Sequence, residues 1–224
     1  MSSNITLEQL LEAGAHFGHQ ARRWNPAMKQ YIYGQRNGVH IFDLVKTKEG
    51  IDKACEFLAG LVKDGKKILL VGTKRQVADL IRKTGIESGQ PYVCVRWMGG
   101  TLTNFAQIRK SVTKMQDLMG KKERGELKKY TKKEQLLMDR EINKLSKFFE
   151  GIAGMEKVPE AMFVVDIHRE EVAVLEGRKI GIPVVGIADT NSNADLLDYV
   201  IPMNDDAERG LELVMGAISE ALRK

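Results

Sequence analysis

The stretch AMFVVDIHREEVAVLEGRKIGIPVVGIAD, residues 161–189, decides the fold class. Two short apolar runs rich in β-branched residues, 161–167 and 183–189, stand on either side of an amphipathic stretch around 169–179. Near-continuous apolar runs are typical of strands that are buried on both faces, as in parallel sheets covered by helices. The stretch therefore predicts a strand, a helix and a second strand parallel to the first.

The same alternation extends through most of the chain and predicts one doubly wound sheet. The other apolar runs are KILLVGT (67–73), YVCVRW (92–97) and YVIPM (199–203), and the other amphipathic stretches lie around 47–63, 75–88 and 206–223. Ahead of them, Tyr31-Ile32-Tyr33 and Val39-His40-Ile41-Phe42 flank Asn37-Gly38, the preferred pair for a hairpin turn. We predict a Rossmann-like or flavodoxin-like α/β domain with an N-terminal extension and hairpin over about residues 1–45.

Between the second and third predicted strands the apolar residues recur at steps of three and four, as in coiled-coil heptads. They are Phe105, Ile108, Val112, Met115 and Met119, then Met138, Ile142, Leu145, Phe149 and Ile152. The polar segment 120–131 separates the two groups, and Thr131 and Glu134 have the spacing of a capping box. We predict an antiparallel coiled-coil hairpin, residues 104–152, that projects on the order of 20–30 Å. It would be inserted in a discontinuous α/β domain formed by 1–103 and 153–224.

Charge is distributed unevenly along the chain. Residues 1–103 carry 15 lysines and arginines against nine acidic residues, and residues 104–150 carry 13 against seven. Residues 151–224 carry seven against 14. This asymmetry predicts that the basic part of the molecule faces a polyanion.

Composition argues against membrane and secreted classes. The chain is 43% hydrophobic and 29% charged, and no run of about 18 apolar residues occurs. The start, MSSNITLEQL, predicts no secretory signal because it lacks a basic flank and an apolar stretch. Cys55 and Cys94 have no C-x-x-C spacing, and we predict buried thiols in a reducing cytoplasm.

The sequence carries no recognisable catalytic motif. Gly72-Thr73-Lys74-Arg75, after the first sheet strand, fits neither the dinucleotide fingerprint nor the P-loop, and no lysine follows Gly99-Gly100 in P-loop register. There is no G-x-S-x-G elbow, and the four histidines are scattered. We predict that the protein is not an enzyme, although a nucleotide- or sugar-phosphate-binding α/β enzyme stays open as an alternative.

Both tryptophans directly follow an arginine, in Arg22-Arg23-Trp24 and in Arg96-Trp97. Guanidinium groups bind phosphate, indoles stack on unpaired bases, and glycine turns let backbone approach a sugar-phosphate chain. Lys74 and Arg96 lie at the carboxyl ends of two predicted strands, on the edge where open α/β sheets bind ligands. The predicted RNA-binding residues are Arg22, Arg23, Trp24, Arg36, Lys74, Arg75, Arg96, Trp97, Gly99, Gly100, Thr103, Asn104, Arg109 and Lys110.

A candidate metal site involves His19, Asp189, Asp205 and Asp206. The three aspartates follow neighbouring strands, and gathered carboxylates need a counter-charge, which a structural divalent ion supplies. An imidazole with carboxylates suits zinc, whereas carboxylates with water suit magnesium. The alternative is that these aspartates cap the following helices, and no cofactor is then required.

Several stretches together resemble the bacterial-type small-subunit ribosomal protein S2 family, essentially from end to end. They are GAHFGHQARRWNPAM (14–28), ILLVGTKRQ (68–76), VRWMGGTLTNF (95–105), PEAMFVVD (159–166), GIPVVGIADTNS (181–192) and VIPMNDDA (200–207). The resemblance implies the same α/β fold with a protruding helical hairpin. Some members have an acidic tail beyond the last helix, whereas this sequence stops at Arg223-Lys224, so no role of such a tail is expected here.

The resemblance also implies a function and partners. We expect a cytoplasmic protein of the bacterial small ribosomal subunit, located between the head and the body of that subunit. An organellar ribosome stays open as an alternative. The expected partners are small-subunit ribosomal RNA and other small-subunit proteins, including the large mRNA-binding one that it helps to dock for initiation; neither DNA nor a membrane is expected. A coiled-coil protein–protein adaptor without RNA contact is the other alternative.

Overall fold

The computed structural model describes residues 4–223, which form two sheets and seven α-helices. The strands are β1 Phe17–Gln20, β2 Ile32–Arg36, β3 Val39–Phe42, β4 Ile68–Val71, β5 Tyr92–Val93, β6 Ala161–Val165, β7 Val184–Ala188 and β8 Tyr199–Pro202. The helices are α1 Leu7–Glu12, α2 Leu44–Lys63, α3 Arg75–Ser88, α4 Phe105–Glu123, α5 Lys132–Phe149, α6 Glu171–Ile180 and α7 Glu208–Leu222. Short 3₁₀ segments lie at Ala21–Arg23, Pro26–Tyr31, Glu126–Lys129, Glu150–Ile152 and Ala194–Leu196.

The larger sheet confirms the predicted fold class. Its five strands are all parallel and lie in the order β5-β4-β6-β7-β8. Numbered along the sheet's own strands this is the 2-1-3-4-5 order of flavodoxin-like folds, with the switch point between β4 and β6. The helices that follow β4 and β6, α3 and α6, pack on opposite faces of the sheet there, so this edge is the place where such a fold ordinarily holds a ligand.

Alternate residues of each strand feed two separate cores. In β4, Ile68 and Leu70 pack with α2, α3 and α7, whereas Leu69 and Val71 face the opposite core with α6 and the bases of α4 and α5. All four side chains are fully buried. Burial on both faces explains why these strands read as continuous apolar runs rather than alternating ones.

Both edge strands of the parallel sheet are covered, and glycine makes each cover possible. A Cβ on Gly50 of α2 would lie 2.4 Å from the Val200 carbonyl oxygen of β8, and one on Gly151 would lie 2.2 Å from that of Tyr92 in β5. Thr47, one turn before Gly50, donates its hydroxyl to the Pro202 carbonyl at 2.6 Å. The close approach of helical segments shields the edges from pairing with another chain.

The N-terminal extension forms the smaller sheet, in which β3 lies between β1 and β2. The predicted hairpin is present: Asn37 and Gly38 join β2 to β3, and both have positive φ, as a type I′ turn requires. Strand β1 lacks a clear alternating pattern, and it was not expected. Its pairing with β3 depends on contacts that the local sequence does not reveal.

Helices α4 and α5 pack against each other in antiparallel fashion. Lys122 pairs with Asp139 at 2.8 Å near the tip, and Lys114 pairs with Glu141 at 2.5 Å. The Thr131 capping box is present as predicted. Toward the base, Ile108, Val112, Met115, Phe149 and Ile152 belong to the core cluster that covers the sheet. The helical pair is thus observed, whereas its coiled-coil packing and its separation as a domain over 104–152 stay predictions.

The predicted strand 92–97 is the element that changes most. Strand β5 comprises Tyr92 and Val93 alone, so Arg96 and Trp97 lie in the loop that leads to α4. The other predicted strands and helices differ from the observed ones by a few residues at their ends. None of the helices in the described part of the chain, 4–223, is long and apolar enough to cross a membrane.

Replacing Gly50 by alanine should destabilise the protein by about 1–3 kcal/mol, because the added methyl group meets the β8 backbone. Gly60→Ala in the same helix is the matched control, since a Cβ there has no neighbour within 4 Å. We expect it to be neutral or stabilising by up to about 1 kcal/mol. Urea denaturation measures both; equal effects would contradict the close approach of α2 to β8.

Candidate nucleic-acid interface

A buried ion-pair cluster lies at the carboxyl edge of the sheet. Lys74 follows β4, and its ammonium lies 2.6 Å from a carboxylate oxygen of Asp205, 2.6 Å from one of Asp206 and 3.5 Å from one of Asp166. Lys74 is only 9% exposed, and Asp205 is 1% exposed. Because this ammonium already neutralises aspartates from β6 and β8, it is not an outward-facing RNA contact of the kind expected from the sequence.

Residues 14–28, which we call the N-terminal segment, lie along this edge and contact it through backbone groups and an imidazole. The His19 Nδ1 atom lies 3.0 Å from the Asp189 carboxylate, and the His19 amide donates to the Thr190 hydroxyl at 2.8 Å. The Asn25 amide donates to the Thr190 carbonyl at 2.7 Å. A Cβ on Gly18 would lie 2.6 Å from a Thr190 methyl carbon, so glycine permits this approach. The segment is thus held against the loop that follows β7.

Burial and neighbouring charges shift the titration of the cluster. Burial, followed by the carboxylates of Asp166 and Asp189, raises the pKa of Asp205 to about 7. The hydrogen bond to Asp189 raises the pKa of His19. Burial alone would lower the pKa of Lys74, but its contacts with Asp205, Asp206 and Asp166 outweigh that effect and raise it. The cluster thus favours a charged lysine and a protonated Asp205 below neutral pH.

The predicted metal ligands are brought together, but the cation among them is an ammonium. Asp205 and Asp206 contact Lys74, whereas Asp189 accepts from the Asp205 amide. His19 lies against Asp189 and Asp206. Within residues 4–223, no group of three or more His, Cys, Asp or Glu side chains is arranged to hold a metal ion. Lys74 therefore supplies a counter-charge to these aspartates, and a zinc or magnesium ion at this place stays a prediction.

A second buried carboxylate occupies the switch point itself. Glu170, 3% exposed, accepts hydrogen bonds from the Thr73 amide at 3.0 Å and the Thr73 hydroxyl at 2.5 Å. Burial raises the pKa of Glu170. Thr73 follows β4, where the backbone of a flavodoxin-like protein is free to receive a phosphate. Here the Glu170 carboxylate accepts the hydrogen bond of the Thr73 amide. A phosphate ligand at this place would therefore meet a negative charge in place of a free donor.

A third buried carboxylate organises the loop that contains the second Arg-Trp pair. We call residues 96–104 the Trp97 loop. Glu176 of α6, 8% exposed, accepts from the Trp97 indole at 3.0 Å and the Gly100 amide at 2.7 Å through one oxygen. Its other oxygen accepts from the amides of Leu102 and Thr103 and from the Thr103 hydroxyl, each at 3.0 Å.

The electrostatics of Glu176 follow from these contacts. Burial alone would raise its pKa, but the hydrogen bonds donated by Thr103, Trp97, Gly100 and Leu102 together lower it, so the carboxylate stays charged. The Gly100 amide is therefore engaged inside the protein rather than free for a phosphate. In the described part of this turn, exposed backbone is left at Gly99.

The arginines, by contrast, point outward. Arg22, Arg23 and Arg36 are exposed, and their two segments are joined where the Ala21 amide donates to the Gly38 carbonyl at the tip of the hairpin. Arg75 begins α3 beside Lys74 but is exposed. The remaining predicted residues with exposed positions are Arg96, Gly99, Thr103, Asn104 and Lys110.

Besides Lys74 and the Thr103 hydroxyl, three predicted RNA-binding side chains contact other groups of the protein. Trp24 is partly buried, and its ring lies 5.4 Å from that of His40. Trp97 is partly buried against Glu176. Arg109 donates to the Met155 carbonyl at 2.8 Å and so anchors the base of α4 to the loop before β6. Both indoles thus contact groups of the protein itself.

The sequence interpretation missed Asp166, Glu170 and Glu176. One of them had a signal in the sequence: Glu176 shares the apolar face of α6 with Val174 and Gly177, whereas Glu170 precedes the helix and had none. An acidic residue on an apolar helix face predicts an internal partner. Asp166 has a φ of 63°, which the sequence did not indicate.

Comparison with known proteins places these features in a family context. The family model described as "Ribosomal protein S2" matches residues 10–224. A protein of Roseiflexus sp. named "Small ribosomal subunit protein uS2" is 50% identical over 217 residues, which cover 97% of this chain and 83% of that protein. Proteins with the same name from Coprothermobacter proteolyticus and Chloroflexus aurantiacus are 49% and 46% identical over 97% of this chain, and cover 81% and 91% of those proteins.

Replacing Lys74 by methionine should destabilise the fold by about 3–5 kcal/mol, because it leaves buried aspartates without their cation. Arg75→Met changes the same charge at the adjacent, exposed position and should cost under about 0.5 kcal/mol. Urea denaturation of both variants measures the difference. A Lys74→Met protein as stable as Arg75→Met would show that the cluster does not depend on the ammonium.

Stability should fall as the pH rises from the ordinary aspartate pKa of 3.8 through about 7, because folded Asp205 keeps a proton that the unfolded chain releases. Each pH unit within this interval contributes up to about 1.4 kcal/mol. Asp205→Asn removes this contribution. The difference in unfolding free energy between wild type and variant, followed from about pH 5 to about pH 8, should therefore narrow or change sign. A pH-independent difference would contradict the raised pKa.

Proposed function

The chain belongs to the ribosomal protein S2 family, and from this premise we propose that it binds small-subunit ribosomal RNA through exposed arginines around the carboxyl edge of its sheet. It is a structural component of the small ribosomal subunit and not an enzyme, since the family is one of structural ribosomal proteins. The finer statements, which RNA surface and which protein partners, are proposals.

The observation that carries the RNA proposal is the separation of charge at this edge. Carboxylates of Asp166, Asp189 and Asp205 lie inside and are buried. Arg22, Arg23 and Arg96 lie outside, in segments that the buried groups hold in place. A phosphate backbone that approaches this edge meets guanidinium groups first, and the inner carboxylates are screened by Lys74 and by the covering segment.

The same geometry favours contact through side chains rather than through backbone amides. The amides of Thr73 and Gly100, which a phosphate could have used, donate to Glu170 and Glu176. Arginines bind phosphates bidentately and do not need a preformed backbone cradle. This arrangement also disfavours the alternative of a nucleotide-binding enzyme, whose phosphate site would coincide with the Glu170 carboxylate.

We further propose the cytoplasmic small subunit, between head and body, as the location, and a protein partner beside RNA. The large mRNA-binding ribosomal protein is the expected partner, as the family resemblance implies. Exposed apolar side chains in the N-terminal extension and hairpin support a protein contact: Leu7 is 41% exposed, Leu11 53%, Phe17 48% and Tyr33 81%. Exposed groups of this size are common at protein interfaces.

Replacing Arg22, Arg23 and Arg96 together by glutamine should weaken binding to small-subunit ribosomal RNA without unfolding the protein. Each lost phosphate contact should reduce the log–log salt slope by about 0.7–0.9, so three contacts reduce it by about 2–3. Filter binding of the protein to RNA from small subunits depleted of it, at several salt concentrations, measures both quantities.

Lys63→Gln is the control, because Lys63 is exposed at the end of α2 and precedes β4, at the opposite edge of the sheet. It should change affinity and slope little. Equal slopes for wild type and the triple variant would refute the RNA surface proposed here. A wild-type protein that enters small subunits but shows no salt-dependent RNA binding would favour the adaptor alternative.

A further inference from the structure

Within the Trp97 loop, few hydrogen bonds are local. The Thr101 amide and hydroxyl donate to the Met98 carbonyl at 3.0 and 2.6 Å, and the Asn104 amide donates to the Gly100 carbonyl at 2.9 Å. Gly100 has a φ of 88°. These contacts define two tight turns, but they do not fix the turns against the rest of the protein.

Glu176 supplies that fixation from a distant point of the chain. Five donors from four residues of the loop converge on its two oxygens at 2.7–3.0 Å. Backbone amides that converge on one point form an anion site, which a phosphate or sulfate would otherwise fill. The carboxylate of Glu176 fills this anion site from within the protein, and it is buried and charged.

We infer that Glu176 is a positioning residue for RNA binding: its carboxylate holds the Trp97 loop in the shape that presents Arg96, Gly99 and Asn104 on the surface. The inference rests on the RNA-binding function proposed above. Arg96 directly precedes the anchored Trp97, and Asn104 directly follows the anchored Thr103. Both ends of the exposed set are thus attached to residues that Glu176 binds. Fixing them before binding reduces the entropy lost when RNA is bound.

Glu176→Gln tests the carboxylate with little change in shape. The amide nitrogen of glutamine cannot accept hydrogen bonds, so donors of the loop that faced one oxygen lose their acceptor. We expect amide hydrogen exchange at Gly100, Leu102 and Thr103 to accelerate at least about tenfold, while amides of β4 and β6 keep their protection. RNA affinity should fall about 5- to 10-fold.

The sign of this effect separates positioning from simple electrostatics. Loss of a negative charge makes the protein more cationic, which alone strengthens binding to RNA. The control is Glu171→Gln, which makes the same charge change at an exposed position of the same helix. It should leave loop exchange unchanged and RNA affinity equal or slightly higher. If Glu176→Gln binds RNA as tightly as Glu171→Gln although its loop exchanges faster, the inference is wrong.

A double variant links Glu176 to the arginine it positions. In an Arg96→Gln background the loss of affinity caused by Glu176→Gln should shrink to less than about twofold, because the main group being positioned is already gone. A general loss of stability would instead reduce affinity by the same factor in both backgrounds. Equal factors would therefore overturn the positioning role.

If the Glu176→Gln variant does not fold, Glu176→Asp replaces it in the test, because it keeps the negative charge and shortens the side chain. Loop protection and RNA affinity must then fall together or persist together, and a change in one without the other overturns the inference. A different result would contradict the proposed function itself, namely that the wild-type protein shows no salt-dependent binding to small-subunit ribosomal RNA. Wild-type binding with unaffected Glu176 variants would overturn the positioning role alone.

Discussion

The ammonium of Lys74 among the aspartates that follow β6 and β8 is the contact on which the carboxyl edge of the sheet depends. Parallel strands bring their following loops together at one edge, and in this chain those loops carry Asp166, Asp189 and Asp205, all buried. Buried like charges are tolerated only with a counter-charge. Lys74 supplies this counter-charge. The Asp189 carboxylate is then available to pair with the His19 imidazole, which holds the N-terminal segment against the sheet.

This arrangement changes what a flavodoxin-like fold offers at its switch point. The usual site has free backbone amides and an open crevice for a phosphorylated ligand. Here Glu170 and Glu176 accept hydrogen bonds from amides of the loops after β4 and β5, and the N-terminal segment contacts the loops after β7 and β8. The anion-binding capacity of the fold is used inside the protein to shape loops. Under the RNA-binding function proposed above, the phosphates would be met by exposed side chains such as Arg96 and the arginines of the N-terminal segment.

The sequence predicted the elements better than it predicted the site. Strands such as 161–167 and 183–189 were recognisable because burial on both faces leaves a continuous apolar run, and Asn37-Gly38 because few residues accept positive φ. Lys74 was assigned to the surface because its partners, Asp166 and Asp205, are 92 and 131 residues away in sequence. Glu176 was missed for the same reason, although a carboxylate on the apolar face of α6 was a usable signal. Local patterns report burial; they do not report which distant group compensates a buried charge.

Burial also resolves the charge asymmetry of the chain. Of the 14 acidic residues in 151–224, five are buried: Asp166, Glu170, Glu176, Asp189 and Asp205. Lys74 is the buried basic residue among those described. With these six charges set aside, the formal +5 of the chain becomes +9 for the remaining residues. The acidic C-terminal third is therefore not simply an acidic outer face. A substantial part of its charge points inward, where it organises the carboxyl edge, and the surface seen by a partner is more cationic than the composition suggests. Long-range attraction to a polyanion depends on that outer charge.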